Sequence, residues 1–438
     1  MAGEWALVPL GEIVQNFDAR RIPLSSRERR KRQGPYPYYG ATGVMDNIDD
    51  FLFDGLYILI AEDGSVERPN GSPFVQLVSG KFWANNHTHV LKGPSDKETK
   101  FIYYALSTVA VRPYISGSVQ AKLSQANLNR ILIPFPRDER ERRAIAHILG
   151  TLDDKIELNR KMAATLEAMA RALFRAWFVE FEPVRAKIEG RWQRGQSLPG
   201  LPAHLYDLFP ARLVGSDLGE IPEGWEVGPL GRFFKVGMGG VWGQDVASAQ
   251  ASVPVRCLRG IDCHELAEGR IPEIPKRWVS PKQASTRYLL DGTILIEGSG
   301  SFCGRSMIWR ENYEALFSEP VVYSNFCRRL DPDCSFAQAI LCWMQVRQAY
   351  RDGTLQSFRT GTAFPNFDLN GALNNLLVIV PPEPIARVFG QFFCQAQRLD
   401  LMAQSRTLAA IRDALLPKLV SGELRVKDAE KFLEKAGV

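Results

Sequence analysis

The chain has 438 residues, of which 45% are apolar and 24% charged, and its formal net charge is +5. This length allows two domains with separate cores, and the composition is that of an ordinary globular protein. An apolar run of about 18 residues, the length of a membrane span, is absent from the sequence, and the N-terminus lacks the pattern of a signal peptide. All seven cysteines lie at or after Cys257, which predicts free thiols in a reducing cytoplasm.

The sequence contains an internal repeat. Matching segments follow in the same order in both halves: WALVPLG at 5–11 and WEVGPLG at 225–231, DGLYILI at 54–60 and DGTILI at 291–296, Asn86 with Leu91 and Asn325 with Leu330, Gly117-Ser118 and Gly361-Thr362, ILIP at 131–134 and VIVP at 378–381, TLEAMARAL at 165–173 and TLAAIRDAL at 407–415. Collinear matches with small changes in spacing indicate a tandem duplication whose loops have diverged.

The first half begins with a β-rich domain, predicted at residues 1–136. Its run RRIPLSSRERRKR at 20–32 contains one acidic residue, Glu28. Such a density of positive charge is favourable beside a polyanion, so the run is predicted to contact phosphates. The candidate residues are Arg27, Arg29, Arg30, Lys31 and Arg32. The alternative is a solvated loop.

A long helix is predicted at 137–180, where Asp138 can cap its start. Between Leu149 and Leu173 the apolar positions step by three and four, which is typical of a coiled-coil seam. Asn159 interrupts this seam. A buried asparagine there would fix the register of pairing, and the alternative is that Asn159 faces solvent at a splayed end.

The second half is predicted to contain an ordered connector at 181–224, a β-rich domain at 225–382, a helix at 383–416 that Pro417 ends, and a tail at 417–438. Neither apolar stripe is stable in water, so the two helices are predicted to pair. The predicted pairing residues are Leu149, Leu152, Ile156, Asn159, Leu166, Leu173, Phe389, Phe392, Leu399, Leu408, Ile411 and Leu415.

Catalytic motifs are absent from the sequence. It has no Walker loop and no nucleophile elbow, and Gly237-Met238-Gly239-Gly240 is interpreted as a turn. His87 and His89 lack a second pair of ligands at metal-binding spacing. We therefore expect a chain that catalyses nothing alone and holds no metal or cofactor.

Three segments carry a resemblance to a known family: LGTLDDKIELNRKMAATLEAMARALFRAWFVEFEPVRAKIEGRW at 149–192, SLPGLPAHLYDLFPARLVGSDLGEIPEGWEV at 197–227, and LLPKLVSGEL at 415–424. With them, essentially the whole chain resembles the specificity subunit of type I restriction-modification enzymes. The resemblance implies an α+β fold, with two β-rich target-recognition domains joined by two long antiparallel helices in a pseudo-twofold, circular organisation.

The resemblance also implies the partners. Each domain is expected to read one half of a split site in double-stranded DNA. Two methylation subunits are expected to supply S-adenosylmethionine and to modify adenine N6, and restriction subunits to supply Mg²⁺- and ATP-dependent translocation and cleavage. The segment from Ile145 to Phe174 is a rod of roughly 45 Å, so we expect half-sites about one helical turn apart.

Residues that contact bases are harder to assign. YPYYGATG at 36–43 combines aromatic, glycine and hydroxyl groups that suit a groove, and SGSVQAK at 116–122 and SFRTGTAFPN at 357–366 are its counterparts. Gln120 or Asn366 could pair with adenine, and Arg359 with guanine. The full candidate set is Tyr38, Tyr39, Thr42, Ser118, Gln120, Lys122, Arg359, Thr360, Thr362 and Asn366. The alternative for each is a polar hairpin.

Two other functions remain open at this point. One is an architectural DNA-binding protein, which would show a steep dependence on salt but little preference for sequence. The other is an enzyme with an unrecognised motif, which would show activity as a purified chain.

Overall fold

The computed structural model describes residues 5–117, 121–361 and 365–436. The elements of the first part are β1 (Trp5–Pro9), α1 (Leu10–Ile13), β2 (Gln15–Asn16), α2 (Ser26–Lys31), β3 (Gln33–Gly40), β4 (Gly43–Ile48), β5 (Phe53–Ala61), β6 (Val75–Ala84), β7 (Thr88–Lys92), α3 (Asp96–Leu106), α4 (Gln125–Asn129), β8 (Leu132–Pro136) and α5 (Glu139–Phe178).

The elements that follow are α6 (Glu182–Ile188), β9 (Leu213–Ser216), β10 (Gly219–Pro222), β11 (Glu226–Pro229), β12 (Phe234–Val236), β13 (Val253–Leu258), α7 (Gly260–Ala267), β14 (Lys276–Val279), α8 (Pro281–Thr286), β15 (Ile294–Glu297), β16 (Ser306–Ile308), β17 (Val321–Tyr323), β18 (Cys327–Pro332), α9 (Phe336–Arg351), β19 (Arg359–Thr360), β20 (Asn366–Phe367), α10 (Leu369–Asn375), β21 (Leu377–Val380), α11 (Glu383–Ala396), α12 (Leu399–Ser421) and α13 (Val426–Ala436).

The chain forms two compact units. Unit 1 comprises Met1–Glu157 and Thr407–Val438, and unit 2 comprises Leu158–Arg406. Each of the long helices α5 and α12 therefore contributes one part to each unit. Within unit 1 the beginning and the end of the chain meet, because the indole Nε1 of Trp5 donates a hydrogen bond to the carbonyl oxygen of Val420 at 2.8 Å. The two ends of the chain are thus joined within unit 1.

The main sheets of the two units have the same strand order. Unit 1 has β2-β7-β5-β6, extended by β3 and β4, and unit 2 has β12-β18-β15-β16. Neighbouring strands within both four-strand sets are antiparallel. Ile58 faces Leu91 in unit 1, and Ile294 faces Leu330 in unit 2. The repeated segments therefore mark equivalent strands paired in equivalent register, which confirms the duplication.

The first and the fifth repeated segments of each half also pair with each other. WALVP forms β1, which runs antiparallel to β8, and EVGP forms β11, which runs antiparallel to β21. Each of these two-stranded sheets precedes a helix. In unit 1 the helix is α5, whose first turn is capped by Asp138, since Asp138 Oδ1 accepts a hydrogen bond from the backbone N–H of Arg140 at 2.8 Å.

The helix seam of unit 1 has an apolar core. Leu149 and Leu152 of α5 are buried in the same cluster as Leu408 and Leu415 of α12, and Ile156 and Ile411 pack against that cluster. At its margin, Arg412 Nη1 donates a hydrogen bond to Asp153 Oδ1 at 2.6 Å.

The helix seam of unit 2 contains the predicted polar interruption. Asn159 is buried, with 4% of its surface exposed, and its Nδ2 donates a hydrogen bond to Gln404 Oε1 at 2.8 Å. Further along α5, the ring of Phe174 lies 6.0 Å from that of Phe389 on α11. The contacts advance along α5 from Asn159 to Phe174, while on the other side they run back from Gln404 to Phe389. Helix α5 is therefore antiparallel to α12 and α11. The alternative that Asn159 faces solvent is wrong.

The remaining predicted pairing residues lie at the same seam of unit 2. Phe389 is buried, while Leu166, Leu173, Phe392 and Leu399 are partly buried and pack against the same core. The predicted seam residues of both units therefore contribute to helix packing.

The expectation of one C-terminal helix that Pro417 ends is wrong in two respects. The helix breaks between Ala396 and Leu399, where Arg310 Nη1 donates to the side-chain oxygen of Gln397 at 3.2 Å. It then continues through Pro417 to Ser421, because Leu419 and Val420 are buried in the core of unit 1. Tertiary packing thus offsets the hydrogen bond that proline removes. The predicted tail contains a further helix, α13.

The predicted connector contains α6, β9 and β10. Trp177 at the end of α5 donates a hydrogen bond from Nε1 to the carbonyl oxygen of Gly200 at 3.2 Å and packs edge-on against Phe209. Among the helices in the described residues, each is too short or too polar to cross a bilayer.

Candidate nucleic-acid interface

Three chain segments converge at one edge of the main sheet in unit 1. Just after β5, the N–H of Glu62 donates to the carbonyl of His87 at 2.9 Å, and the N–H of Leu123 donates to the carbonyl of Glu62 at 2.8 Å. The backbones of Asp63 and Lys122 also form an isolated antiparallel β-bridge. The end of β5, the turn before β7 and residues 122–123 are thereby joined.

The same three segments converge in unit 2, with the same hydrogen bonds. The N–H of Gly298 donates to the carbonyl of Phe326 at 2.7 Å, and the N–H of Phe367 donates to the carbonyl of Gly298 at 2.9 Å. The backbones of Ser299 and Asn366 form an isolated antiparallel β-bridge. We call each convergence an edge junction, formed by residues 62–63, 87 and 122–123 in unit 1 and by residues 298–299, 326 and 366–367 in unit 2.

A fourth segment, which follows the edge strand β2 in unit 1 and the edge strand β12 in unit 2, approaches each junction. In unit 2 it is the loop at 237–243, in which the N–H of Val241 donates to the carbonyl of Tyr323 at 2.8 Å. Gly240 permits this approach, since a Cβ at that position would collide with the carbonyl of Ser324. The glycine-rich segment at 237–240 therefore brings Trp242 to the junction. In unit 1 the corresponding segment brings Arg21, whose Nη1 donates to the carbonyl of Thr88 at 2.8 Å.

The junction of unit 1 is charged. Glu62 accepts a hydrogen bond from Arg21 Nη1 at 2.9 Å and lies 3.5 Å from Lys122 Nζ. His87 Nδ1 lies 2.8 Å from Asp63 Oδ2. Each of these groups has a partner, so the junction presents fixed hydrogen-bonding groups rather than free charges.

A buried histidine supports this charged junction. Nδ1 of His89 lies 2.5 Å from Asp18 Oδ2, and Nε2 lies 2.7 Å from the carbonyl oxygen of Leu123. Both partners are hydrogen-bond acceptors, so each ring nitrogen of His89 lies against an oxygen atom. Burial alone would raise the pKa of Asp18, but the hydrogen bond and charge of His89 hold that pKa below its ordinary value.

The junction of unit 2 is aromatic. Trp242, Ile261 and Phe326 line an open cleft of about 570 Å³ that also includes Ser299 and Asn325. Its apolar side chains are exposed: 60% of the surface of Phe326, 44% of Ile261 and 37% of Trp242. The two junctions thus share their backbone and differ in their chemistry.

The predicted basic run is only partly available to a ligand. The side chain of Arg29 donates to Asp46 and to the carbonyl of Leu24, and it stacks on Tyr38. Arg32 pairs with Asp49 and lies over the ring of Trp83. These two arginines have partners within unit 1, and their assignment to phosphates stays a prediction. Three residues of α2 have exposed side chains that make no hydrogen bond or ion pair with the described parts of the chain: Arg27, Arg30 and Lys31.

The segment YPYYGATG forms β3 and the turn that follows it. Tyr38 is 1% exposed, and its hydroxyl accepts a hydrogen bond from the N–H of Leu24 at 2.9 Å, so its assignment as a DNA contact is wrong. Tyr39 is half-buried, and its ring packs edge-on against Phe82. Thr42 is exposed in the turn between β3 and β4. Local sequence could not reveal that β3 turns Tyr38 into the core.

The loop candidates divide into three groups. Ser118, Gln120 and Thr362 lie outside the described residues. Lys122, Thr360 and Asn366 are exposed and lie at or beside the two junctions. Arg359 donates from Nη2 to the carbonyl oxygen of Cys303 at 2.8 Å, and its contact with guanine stays a prediction.

Sequence reasoning missed His87, Phe326 and Trp242 as members of the junctions. The signal for the first two was present, since they follow the aligned Asn86 and Asn325 directly. Both asparagines lie in exposed turns. Trp242 carried no such signal, because its loop has no aligned counterpart in the first half.

The chain matches known proteins along most of its length. Residues 2–168 match the family model of the type I restriction modification DNA specificity domain. A segment of 133 residues is 39% identical to the specificity subunit S.HindORF215P of Haemophilus influenzae, covering 30% of this chain and 33% of that relative. The MjaIX specificity subunit of Methanocaldococcus jannaschii is 27% identical over 344 residues, which is 75% of this chain and 70% of that one.

A solved structure supports the fold. The type I restriction-modification S subunit from M. genitalium superposes with a TM-score of 0.58 at 17% identity, over 95% of this chain and 96% of that chain. A duplicated pair of sheet domains built on paired helices is thus shared with a specificity subunit. Residues 2–168 thus match the type I DNA specificity domain, and the chain is similar along most of its length to specificity subunits of type I restriction enzymes.

Proposed function

We propose that each unit of this chain reads one half of a bipartite site in double-stranded DNA, and that the chain itself catalyses nothing. The observation that carries the proposal is the pair of edge junctions. Their backbone hydrogen bonds are equivalent, while their side chains are charged in unit 1 and aromatic in unit 2. Duplicated frames with diverged side chains are what two different half-sites require.

The paired helices set the gap between the half-sites. Leu149, Leu152 and Asn159 of α5 lie in seams that include Gln404 and Leu415 of α12. The buried amide pair resists slippage of one helix along the other, because a shifted register would leave both amides unpaired. We expect a fixed gap of about one turn of DNA, centre to centre.

The exposed cations of α2 supply phosphate contacts beside the half-site that unit 1 reads. Arg27, Arg30 and Lys31 are the candidates, since their charges are not neutralised by ion pairs within the described residues. Contacts of this kind position the protein on the duplex without specifying sequence.

We infer the partners from the similarity of this chain to type I specificity subunits. The complex is cytoplasmic and contains two methylation subunits, which bring S-adenosylmethionine and modify adenine N6, and restriction subunits, which bring Mg²⁺ and ATP. This chain needs no cofactor of its own, since its contribution is to select the DNA on which those subunits act.

A methylome tests this function. The chain is expressed with its native methylation subunit in a host that lacks DNA methylation, and modified adenines are mapped genome-wide. We expect two short blocks separated by a fixed gap, methylated on both strands, and no marks when the chain is deleted. A continuous motif, or full methylation without the chain, overturns the proposal. Binding without sequence preference would instead indicate an architectural protein.

A further inference from the structure

The aromatic cleft of unit 2 is unusual for a surface. Phe326 lies in a turn with 60% of its surface exposed, and it shares the cleft with the exposed Trp242 and Ile261. Exposed apolar side chains that line one cleft, rather than scattered singly, mark a place where a partner binds.

The walls of this cleft are held in place. The guanidinium of Arg277 lies 4.7 Å from the ring centre of Trp242, and its Nε donates to the carbonyl oxygen of Trp242 at 3.1 Å. Phe326 is fixed through its backbone, because its carbonyl accepts the hydrogen bond from Gly298. The apolar surface is therefore preorganised rather than collapsed onto the fold.

Two arginines lie at or beside this cleft, and the carboxylate of Glu297 in its lining is paired with Arg305. Arg328 is exposed, and its side chain makes no hydrogen bond or ion pair with the described residues. Its side chain crosses Gly298 so closely that a Cβ there would come within 2.9 Å of its Cγ and Nε. Arg259, on the cleft wall, pairs with Asp262 but keeps about half of its side chain exposed. An apolar centre with arginines beside it matches a DNA groove, in which phosphates flank the bases.

We propose that this cleft receives the C5-methyl group of a thymine in the half-site that unit 2 reads, with Phe326 and Trp242 as the specificity-determining contacts. The inference rests on the proposed function, because it assumes that the junction faces DNA. In the major groove, thymine alone among the four bases presents a methyl group, and phenylalanine is one of the side chains that contact it. Unit 1 has His87 in place of Phe326, so this mode of reading belongs to unit 2.

The test replaces thymine by deoxyuridine, which removes only the methyl group. The purified complex of this chain with its native methylation subunit is titrated with duplexes that carry the methylome site, each with one thymine replaced. Adenine modification requires an A·T pair in each half-site, so thymines are present in both. We expect one replacement to weaken binding about fourfold, the effect of losing one buried methyl group.

The variants assign that effect to the cleft. In the Phe326→Ala complex the thymine and deoxyuridine duplexes should bind equally, and Trp242→Ala should reduce the fourfold difference. Phe432→Ala is the matched control, since Phe432 is also an exposed phenylalanine but lies in α13 of unit 1. It should retain the fourfold difference.

The outcomes separate the two proposals. If the methylome shows a split motif and the complex binds it, but no deoxyuridine effect depends on Phe326, the thymine contact is wrong and the proposed function stands. If the methylome shows no split motif, both proposals fail before the duplexes are compared.

Discussion

The two units of this chain share the strand order of a main sheet and differ in the side chains at its edge junction. Their main sheets have the same strand order and register, and both edge junctions are closed by the same backbone hydrogen bonds. At those junctions, unit 1 presents Arg21, Glu62 and His87, whereas unit 2 presents Trp242 and Phe326. After duplication, the buried pairing was kept and the exposed surface diverged.

This difference separates stability from recognition. Buried strands and helix seams are constrained by packing, since even one methylene group matters in a close-packed core. Exposed side chains at a junction carry little of the stability and are free to change with the ligand. Substitutions in the seams should therefore affect folding, and substitutions at the junctions should affect the choice of DNA.

The largest effect should come from the aromatic seam of unit 2. Phe389 is fully buried between Phe174 and Phe178 of α5 and Phe393 of α11. Phe389→Ala should lower the free energy of unfolding by about 3–5 kcal/mol, because it leaves a cavity. Urea unfolding measures the loss, with Phe432→Ala as the exposed control that stays within about 0.5 kcal/mol of wild type. A loss below about 1 kcal/mol would show that the seam is not packed as described.

The polar seam contact should have a smaller effect. Asn159→Ala leaves the amide of Gln404 without its partner and should cost about 1–3 kcal/mol. The double variant Asn159→Leu/Gln404→Leu should recover most of that loss, since no buried polar group is left unpaired. Thermal unfolding of the three proteins compares them. Equal losses in the single and double variants would mean that the hydrogen bond is not the source of the effect.

The charged support of unit 1 predicts a dependence on pH that the aromatic junction lacks. Asp18 has a depressed pKa in the folded protein, so it stabilises unit 1 above its unfolded pKa of about 3.9. That contribution is lost as the pH falls through the lower, folded value. As the pH is lowered from 6 to below the folded pKa of Asp18, the midpoint temperature of thermal unfolding should fall more steeply for the wild type than for Asp18→Asn. Parallel curves would contradict this role of Asp18.

The smallest effects should come from the exposed cations of α2. Removing Arg27, Arg30 and Lys31 together should leave the half-site sequences unchanged and reduce the slope of log K against log salt by about 3, close to one per phosphate contact. Titrations of the methylation complex at several salt concentrations measure the slope. Arg194→Ala is the control, since Arg194 is exposed in the connector and pairs with Asp207. An unchanged slope in the triple variant would remove α2 from the interface.

Sequence reasoning succeeded where the determinants are repeated. The duplication, the strand segments and both helix seams could be predicted because apolar spacing and the order of matches survive in the sequence. The state of Asn159 could not be decided, because its partner Gln404 lies 245 residues away. Tyr38 and Pro417 were misjudged for a related reason, since tertiary packing buries the tyrosine and carries α12 past the proline.

The sequence predicted only some of the residues of the two junctions. Lys122 and Asn366 were identified from polar loops, but nothing local connects those loops to the turns at His87 and Phe326. The connection is made by backbone hydrogen bonds between segments far apart in the chain. From sequence alone, an aromatic residue such as Phe326 is expected in the core, and only the fold shows that its turn is exposed.

One measurement tests the central claim, that each unit reads its own half-site, most directly. Residues 225–382 are replaced by the equivalent segment of a relative with a different motif, and the methylome of the chimera is mapped beside that of the wild type. We predict that one block of the motif changes to the relative's block, while the other block stays as it was. Changes in both blocks, or in neither, would contradict the assignment of one half-site to each unit.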